Sequence, residues 1–145
     1  MIITIRNLQN KVPVDTARVA SIARRVLSSE RVRKGGEIAF SFVNDSIIRK
    51  LNLKYLGHDR PTDVIAFDLS DACRPGKISA DIVISCETAS ANAKRFNTTP
   101  SYELYLYVVH GVLHILGYDD RDKRSRARMR LKEEALLRIP GLSFK

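Results

Sequence analysis

Apolar residues recur along this chain with two periods, and the places where one gives way to the other mark its elements. Ile2-Ile3-Thr4-Ile5 reads as a first strand over residues 2–6. Val19, Ile22, Ala23 and Val26 fall at helical spacing, so a helix capped by Asp15 is expected to run to about Ser29, and Gly35-Gly36 ends that region. Glu37 to Val43 sets Ile38, Phe40 and Phe42 against Ala39, Ser41 and Val43, the alternation of a strand buried mostly on one face. Asn44-Asp45-Ser46 opens a helix from about Ile47 to Tyr55, and Gly57-His58-Asp59-Arg60-Pro61 is a loop. Strands are predicted at Thr62 to Leu69 and Asp81 to Ser85, with a turn or mobile hairpin loop over residues 70–79 around Pro75-Gly76. Three helices follow. One covers Glu87 to Phe96. The next begins at Thr99-Pro100, where the missing proline N–H costs nothing, and runs to Leu116 before Gly117. The last covers about Asp122 to Leu137.

Strands come early and helices late, which predicts one α+β domain over residues 1–145. Its small mixed sheet should have about four strands, packed with about five helices. A chain of 145 residues can bury a core without staples. The two cysteines, Cys73 and Cys86, form no CxxC pair and read as reduced thiols. Residues 1–30 show no signal peptide, and no apolar run approaches the roughly 20 residues that span a bilayer. The expectation is a cytoplasmic protein without a membrane partner. A formal charge of +9 and a pI near 9.9 change the picture more. So basic a protein attracts polyanions, nucleic acid foremost, with an anionic membrane surface as the other candidate that charge alone does not exclude.

The chemistry concentrates in His110-Gly111-Val112-Leu113-His114-Ile115-Leu116-Gly117-Tyr118-Asp119-Asp120. Residues four apart on a helix share a face, so both imidazoles point the same way. Leu104, Leu106, Val108, Val109, Val112, Leu113, Ile115 and Leu116 leave that helix almost no polar face, and such a helix is buried. Two buried histidines need partners, since an unpaired buried polar group costs about 1–3 kcal/mol. Hydrogen bonds to backbone or carboxylates would serve; so would a divalent metal. Gly117 lets the chain turn back and bring a carboxylate from Asp119 or Asp120 as third ligand, leaving a position open for water. Position 111 is Gly, so the glutamate base of HExxH zinc peptidases is missing and peptidase chemistry is discounted.

At these residues the chain resembles the bacterial YbeY-type endoribonucleases, whose signature reads His-Gly-x-Leu-His-Leu-x-Gly-Tyr-Asp-His. Two further segments agree and lie in the same order: Asp59-Arg60-Pro61-Thr62-Asp63-Val64-Ile65-Ala66-Phe67, and Asp81-Ile82-Val83-Ile84-Ser85-Cys86-Glu87-Thr88-Ala89. The resemblance implies a metal-dependent endoribonuclease preferring single strands. It also implies work in ribosomal RNA maturation and ribosome quality control, with the small ribosomal subunit as partner. It implies a zinc site, here His110, His114 and Asp120. Three departures stand out: Asp120 replaces the family's third histidine, Leu56 a usual arginine, and Ala66 a usual serine. A carboxylate is a harder ligand with more negative charge, which lowers the Lewis acidity of the ion and bears on its identity.

Asp119 is the candidate catalytic or ligand-orienting residue, with a turn cap as its plain alternative, and Glu87 is a weaker candidate base. Asp63 reads as a structural hydrogen-bonder and His58 as a surface residue. Arg60, standing near the position of the absent arginine, and Arg121, Lys123 and Arg124, directly after the metal loop, are the expected RNA contacts. Met129 and Leu136 would be the buried side of that last helix. Arg18, Arg24, Arg25, Arg31, Arg33 and Lys34 form a second basic cluster without an assigned side of the fold. The rival to an enzyme is a non-catalytic, basic RNA-binding factor in ribosome assembly.

Overall fold

A computed structural model describes residues 1–142. In chain order the elements are β1 (Ile2–Asn7), α1 (Thr16–Ser29), β2 (Gly35–Val43), α2 (Asp45–Leu56), β3 (Val64–Asp68), β4 (Lys77–Ser85), α3 (Cys86–Phe96), α4 (Pro100–Ile115) and α5 (Lys123–Leu136). The architecture is α+β, as the order of periods predicted. The sheet order is β1-β2-β4-β3; β1, β2 and β4 run parallel, and β3 pairs antiparallel with β4 at one edge.

Every helix starts on a side-chain cap. Asp15, Asn44, Ser85, Thr99 and Asp122 each accept the backbone N–H three residues on, which stabilises each start by about 1 kcal/mol. The strand alternation then sorts the core. Ile38, Phe40, Phe42, Ile82 and Ile84 face α1 and α4 in the main hydrophobic cluster. On the opposite face Val43, Ile65 and Val83 form a smaller cluster with Ile48 of α2. Helix α4 lies in the middle, packed on α1, α3, α5 and the β3–β4 pair. Its run of apolar residues accordingly buries Leu104, Val108, Val109, Val112 and Leu113. No helix among the described residues is long and apolar enough to cross a membrane.

Three strand starts differ from the sequence expectation. β4 starts at Lys77 rather than Asp81, because Lys77 to Ala80 pair with Gly35 to Ile38. The same pairing draws Gly35-Gly36 into β2, where a terminator was expected. Cross-strand hydrogen bonding recruits both segments, and their composition does not announce it. β3 starts at Val64 because the Asp63 carboxylate accepts the Val64 N–H at 2.8 Å, ending the preceding loop.

Both cysteines are free, Cys73 exposed and Cys86 buried, and burial pushes the Cys86 thiol up to about 12. At pH 8 a thiol reagent is expected to titrate one group in the folded protein and two after denaturation. Rapid reaction of both in the folded state would show that the wall around Cys86 opens.

Candidate metal centre

Helix α4 turns its apolar side into the core and its His110–Gly111–His114 side into a cleft of about 410 Å³. Edge strand β3 forms the opposite wall, with Val64, Ala66 and Phe67; Leu56 and Asp63 complete it. Gly111 permits this approach. A Cβ there would lie 2.8 Å from Ile82 Cγ2, so α4 rests on β4 only without a side chain at that position. The glycine that excluded a peptidase glutamate is thus a packing requirement between helix and sheet.

The end of α4 aims the third group. The Gly117 N–H bonds to the His114 carbonyl and the Tyr118 N–H reaches back to Leu113, each at 3.0 Å, while Gly117 takes φ 100°. This closure reverses the chain and satisfies carbonyls the helix leaves unpaired. Tyr118 is then tied down: its hydroxyl donates to Glu30 at the end of α1, and Glu30 pairs with Lys132 of α5 at 2.9 Å. Asp120 consequently faces the histidines. His110 Nε2 and His114 Nε2 are 3.1 Å apart, and Asp120 Oδ2 lies 3.6 Å from each. Tetrahedral zinc with bonds of about 2.0–2.1 Å separates neighbouring ligand atoms by roughly 3.3–3.4 Å. The observed separations bracket that value, and His110, His114 and Asp120 can hold a metal ion.

The far nitrogen of His110 is also fixed. Its Nδ1–H donates to Glu133 Oε1 at 2.7 Å, which directs the lone pair of Nε2 toward Asp120 and His114. A carboxylate behind a ligating imidazole sets its tautomer and raises its basicity. Burial disfavours a charged His110, but the hydrogen bond and charge of Glu133, then the charges of Asp63 and Asp120, outweigh it. The result is a pKa above the ordinary imidazole range. The pocket therefore attracts positive charge, as a cation site must.

The remaining expected residues are dispersed. The Asp119 side chain is exposed, accepts the Arg121 N–H at 3.3 Å and lines a separate depression beside Tyr118 and Arg128. Glu87 pairs with Lys11 and accepts the Asp45 N–H, away from the cleft. Arg60 is exposed in the loop before β3, its carbonyl accepting from Asn52. Arg121, Lys123 and Arg124 are exposed where α5 begins, and Met129 and Leu136 are that helix's buried side. His58 is exposed. Asp63 makes the loop-to-strand hydrogen bonds expected of it and also lines the cleft.

Glu133 escaped the sequence reading. Its signal was present, a carboxylate lying between Met129 and Leu136 on the buried stripe of α5. Buried acidic groups need a partner, and His110 is that partner.

Comparison with known proteins identifies the family. The family model described as "Endoribonuclease YbeY" matches residues 4–140. The endoribonuclease YbeY of Syntrophus aciditrophicus is 39% identical over 142 residues, covering 94% of this chain and 88% of that protein. The endoribonuclease YbeY of Pelotomaculum thermopropionicum is 37% identical over 145 residues, with coverages of 94% and 95%. The solution structure of TM1509 from Thermotoga maritima superposes with a TM-score of 0.60 at 26% identity, covering 93% of this chain and 86% of the other. Ordered motifs, matching fold and near-complete mutual coverage together show that the chain belongs to the YbeY endoribonuclease family.

Proposed function

We propose that this chain is a metal-dependent endoribonuclease of single-stranded RNA, holding one zinc ion at His110, His114 and Asp120 and working in the cytoplasm on ribosomal RNA. Its roles would be RNA maturation and ribosome quality control, with the small ribosomal subunit as partner. The convergence of three ligand atoms in a cleft, with His110 anchored from behind by Glu133, carries this reading. The relatives' printed activity supplies the substrate class.

An ion bound there would polarise a phosphoryl oxygen and make water, or the RNA's own 2′-hydroxyl, a better nucleophile. The chain does the rest. Glu133 holds His110 in the ligating tautomer. The Gly117–Tyr118 turn holds Asp120 against both histidines. Lys123 and Arg124 sit in the first turn of α5, where the helix dipole disfavours cations, so they do not serve the helix itself. With Arg121 and Arg60 they are assigned to RNA phosphates.

Asp119 acts in this scheme through the turn, as a residue that positions Asp120. Asp119→Ala is expected to weaken zinc binding a few-fold while leaving cleavage by the zinc-loaded protein nearly unchanged. A large fall in kcat at saturating zinc would instead place Asp119 at the reacting atoms.

The proposal is tested by chelation. Dialysis against a chelator should abolish cleavage of a single-stranded RNA, and one equivalent of zinc should restore it. Full activity in demonstrably metal-free protein would overturn the metal-dependent reading. RNA binding without cleavage under any metal would favour the assembly-factor alternative.

A further inference from the structure

The metal cleft continues past the histidines. Asp68 at the end of β3 and Ile115 in the last turn of α4 also line a neighbouring cleft of about 550 Å³. That cleft opens between α4, the β3–β4 loop and the chain following α1, and it carries Arg31, Lys34, Arg74 and Lys77. All four are exposed, and among the described residues none of their side chains makes an ion pair or hydrogen bond. The acidic groups beside them are engaged. Glu30 is held by Lys132 and Tyr118, while Asp68 and Asp71 accept the backbone N–H groups of Ser70 and Cys73.

Two arginines of the N-terminal basic cluster are instead tied to the scaffold. Arg24 donates to the Met1 carbonyl and Arg25 to the carbonyls of Leu136 and Arg138. The fold thus ties Arg24 and Arg25 to the scaffold and leaves Arg31 and Lys34 free beside the metal cleft. Arg31 has a further peculiarity. It takes φ 56°, the left-handed conformation that suits Gly or Asn, at the position following the cap of α1. An arginine there is a poor choice for the backbone alone, and its side chain lines the cleft.

Resting on the ribonuclease reading above, we infer that Arg31, Lys34, Arg74 and Lys77 form a second RNA-backbone site. It holds the strand on the side of the metal centre facing the β3–β4 loop. Unpaired cations spaced along a cleft neutralise successive phosphates without reading bases, so this site confers affinity and register. Cations from the α1 and β3–β4 loops give the substrate two walls, which a flexible single strand can follow.

The test is equilibrium binding of a fluorescent single-stranded RNA to the zinc-loaded protein over a range of salt. The variant combines Arg31→Asn, Lys34→Gln, Arg74→Gln and Lys77→Gln, with Arg121→Gln/Lys123→Gln/Arg124→Gln as a parallel variant. The fourfold cleft variant should lose affinity on the order of 100-fold near 0.15 M salt, and its salt slope should fall by about 3. Its zinc content and thermal midpoint should stay at the parent's values. Arg31→Asn alone should weaken binding several-fold while raising the thermal midpoint or leaving it unchanged, which a purely structural role for Arg31 would not do. Unchanged affinity and slope in the cleft variant would overturn the second site, and if the α5 variant then lost binding, the ribonuclease reading would still stand. No RNA binding by the parent protein would overturn both, and an acidic protein partner would become the occupant to seek.

Discussion

His114→Ala is expected to leave the protein folded, metal-free and inactive. His114 is half-buried in the wall of the cleft, so truncating it leaves the hydrophobic core of α4 intact. It removes one of the three donors that converge there. Lewis-acid stabilisation of a phosphoryl transition state amounts to several kcal/mol, so cleavage should fall on the order of a thousand-fold or more. Elemental analysis and RNA cleavage on the same preparation check both halves. Retained cleavage after rigorous purification would sink the site as drawn.

Glu133→Gln provides the graded counterpart. The amide can still meet His110 Nδ1–H through its oxygen, but the negative charge is gone, and about 10–100-fold in metal affinity should go with it. The pH dependence follows from the same contact. His110 must shed a proton to ligate, and its pKa is raised, so zinc occupancy should begin to fall at a higher pH than an ordinary imidazole would set. In metal-free protein the sign reverses. A raised folded-state pKa adds stability below the unfolded value, and this is lost as pH rises through the folded value. Glu133→Gln should move both transitions to lower pH; transitions that stay in place would assign the proton to another group.

Gly111→Ala is expected to be the most damaging conservative change outside the ligands. The new methyl would meet Ile82 Cγ2 at 2.8 Å and Ile82 Cδ1 at 3.3 Å, inside a core where Ile82 is fully buried. Overpacking of this kind costs about 1–3 kcal/mol, which lowers the thermal midpoint of a domain this size by several degrees. Because the neighbouring His110 and the facing His114 ride on the same helix, relief of the clash by lifting α4 would also spread the ligand atoms. Thermal melting and zinc titration should therefore both register the substitution. An unchanged midpoint would mean that the Ile82 side chain yields without cost.

Much of this was legible in the chain itself. The strand alternation of Ile38, Phe40 and Phe42, the helical spacing around Val19 and Ile22, and the Asp15 cap are local properties, and each appears where its pattern puts it. So is the pairing of His110 with His114, because an i, i+4 relation is built into helix geometry. Gly117 permits the reversal that made Asp119 and Asp120 both candidates, and the family resemblance singled out Asp120. What pattern could not supply were contacts between distant segments. Glu133 stands 23 residues beyond His110, and only the packing of α5 on α4 makes it the group that orients the imidazole. Glu30 reaches Tyr118 across 88 residues. The start of β4 at Lys77 is decided by the neighbouring strand. Arg25 is tied to the end of α5, while Arg31 and Lys34 stay free in the cleft beside α4, only once these segments are packed together. Periodicity records which face of an element is apolar and where a chain can turn, because those are costs paid locally. Which charged side chain meets which is set by tertiary packing, since many pairings satisfy the same local pattern and only the packed arrangement selects one.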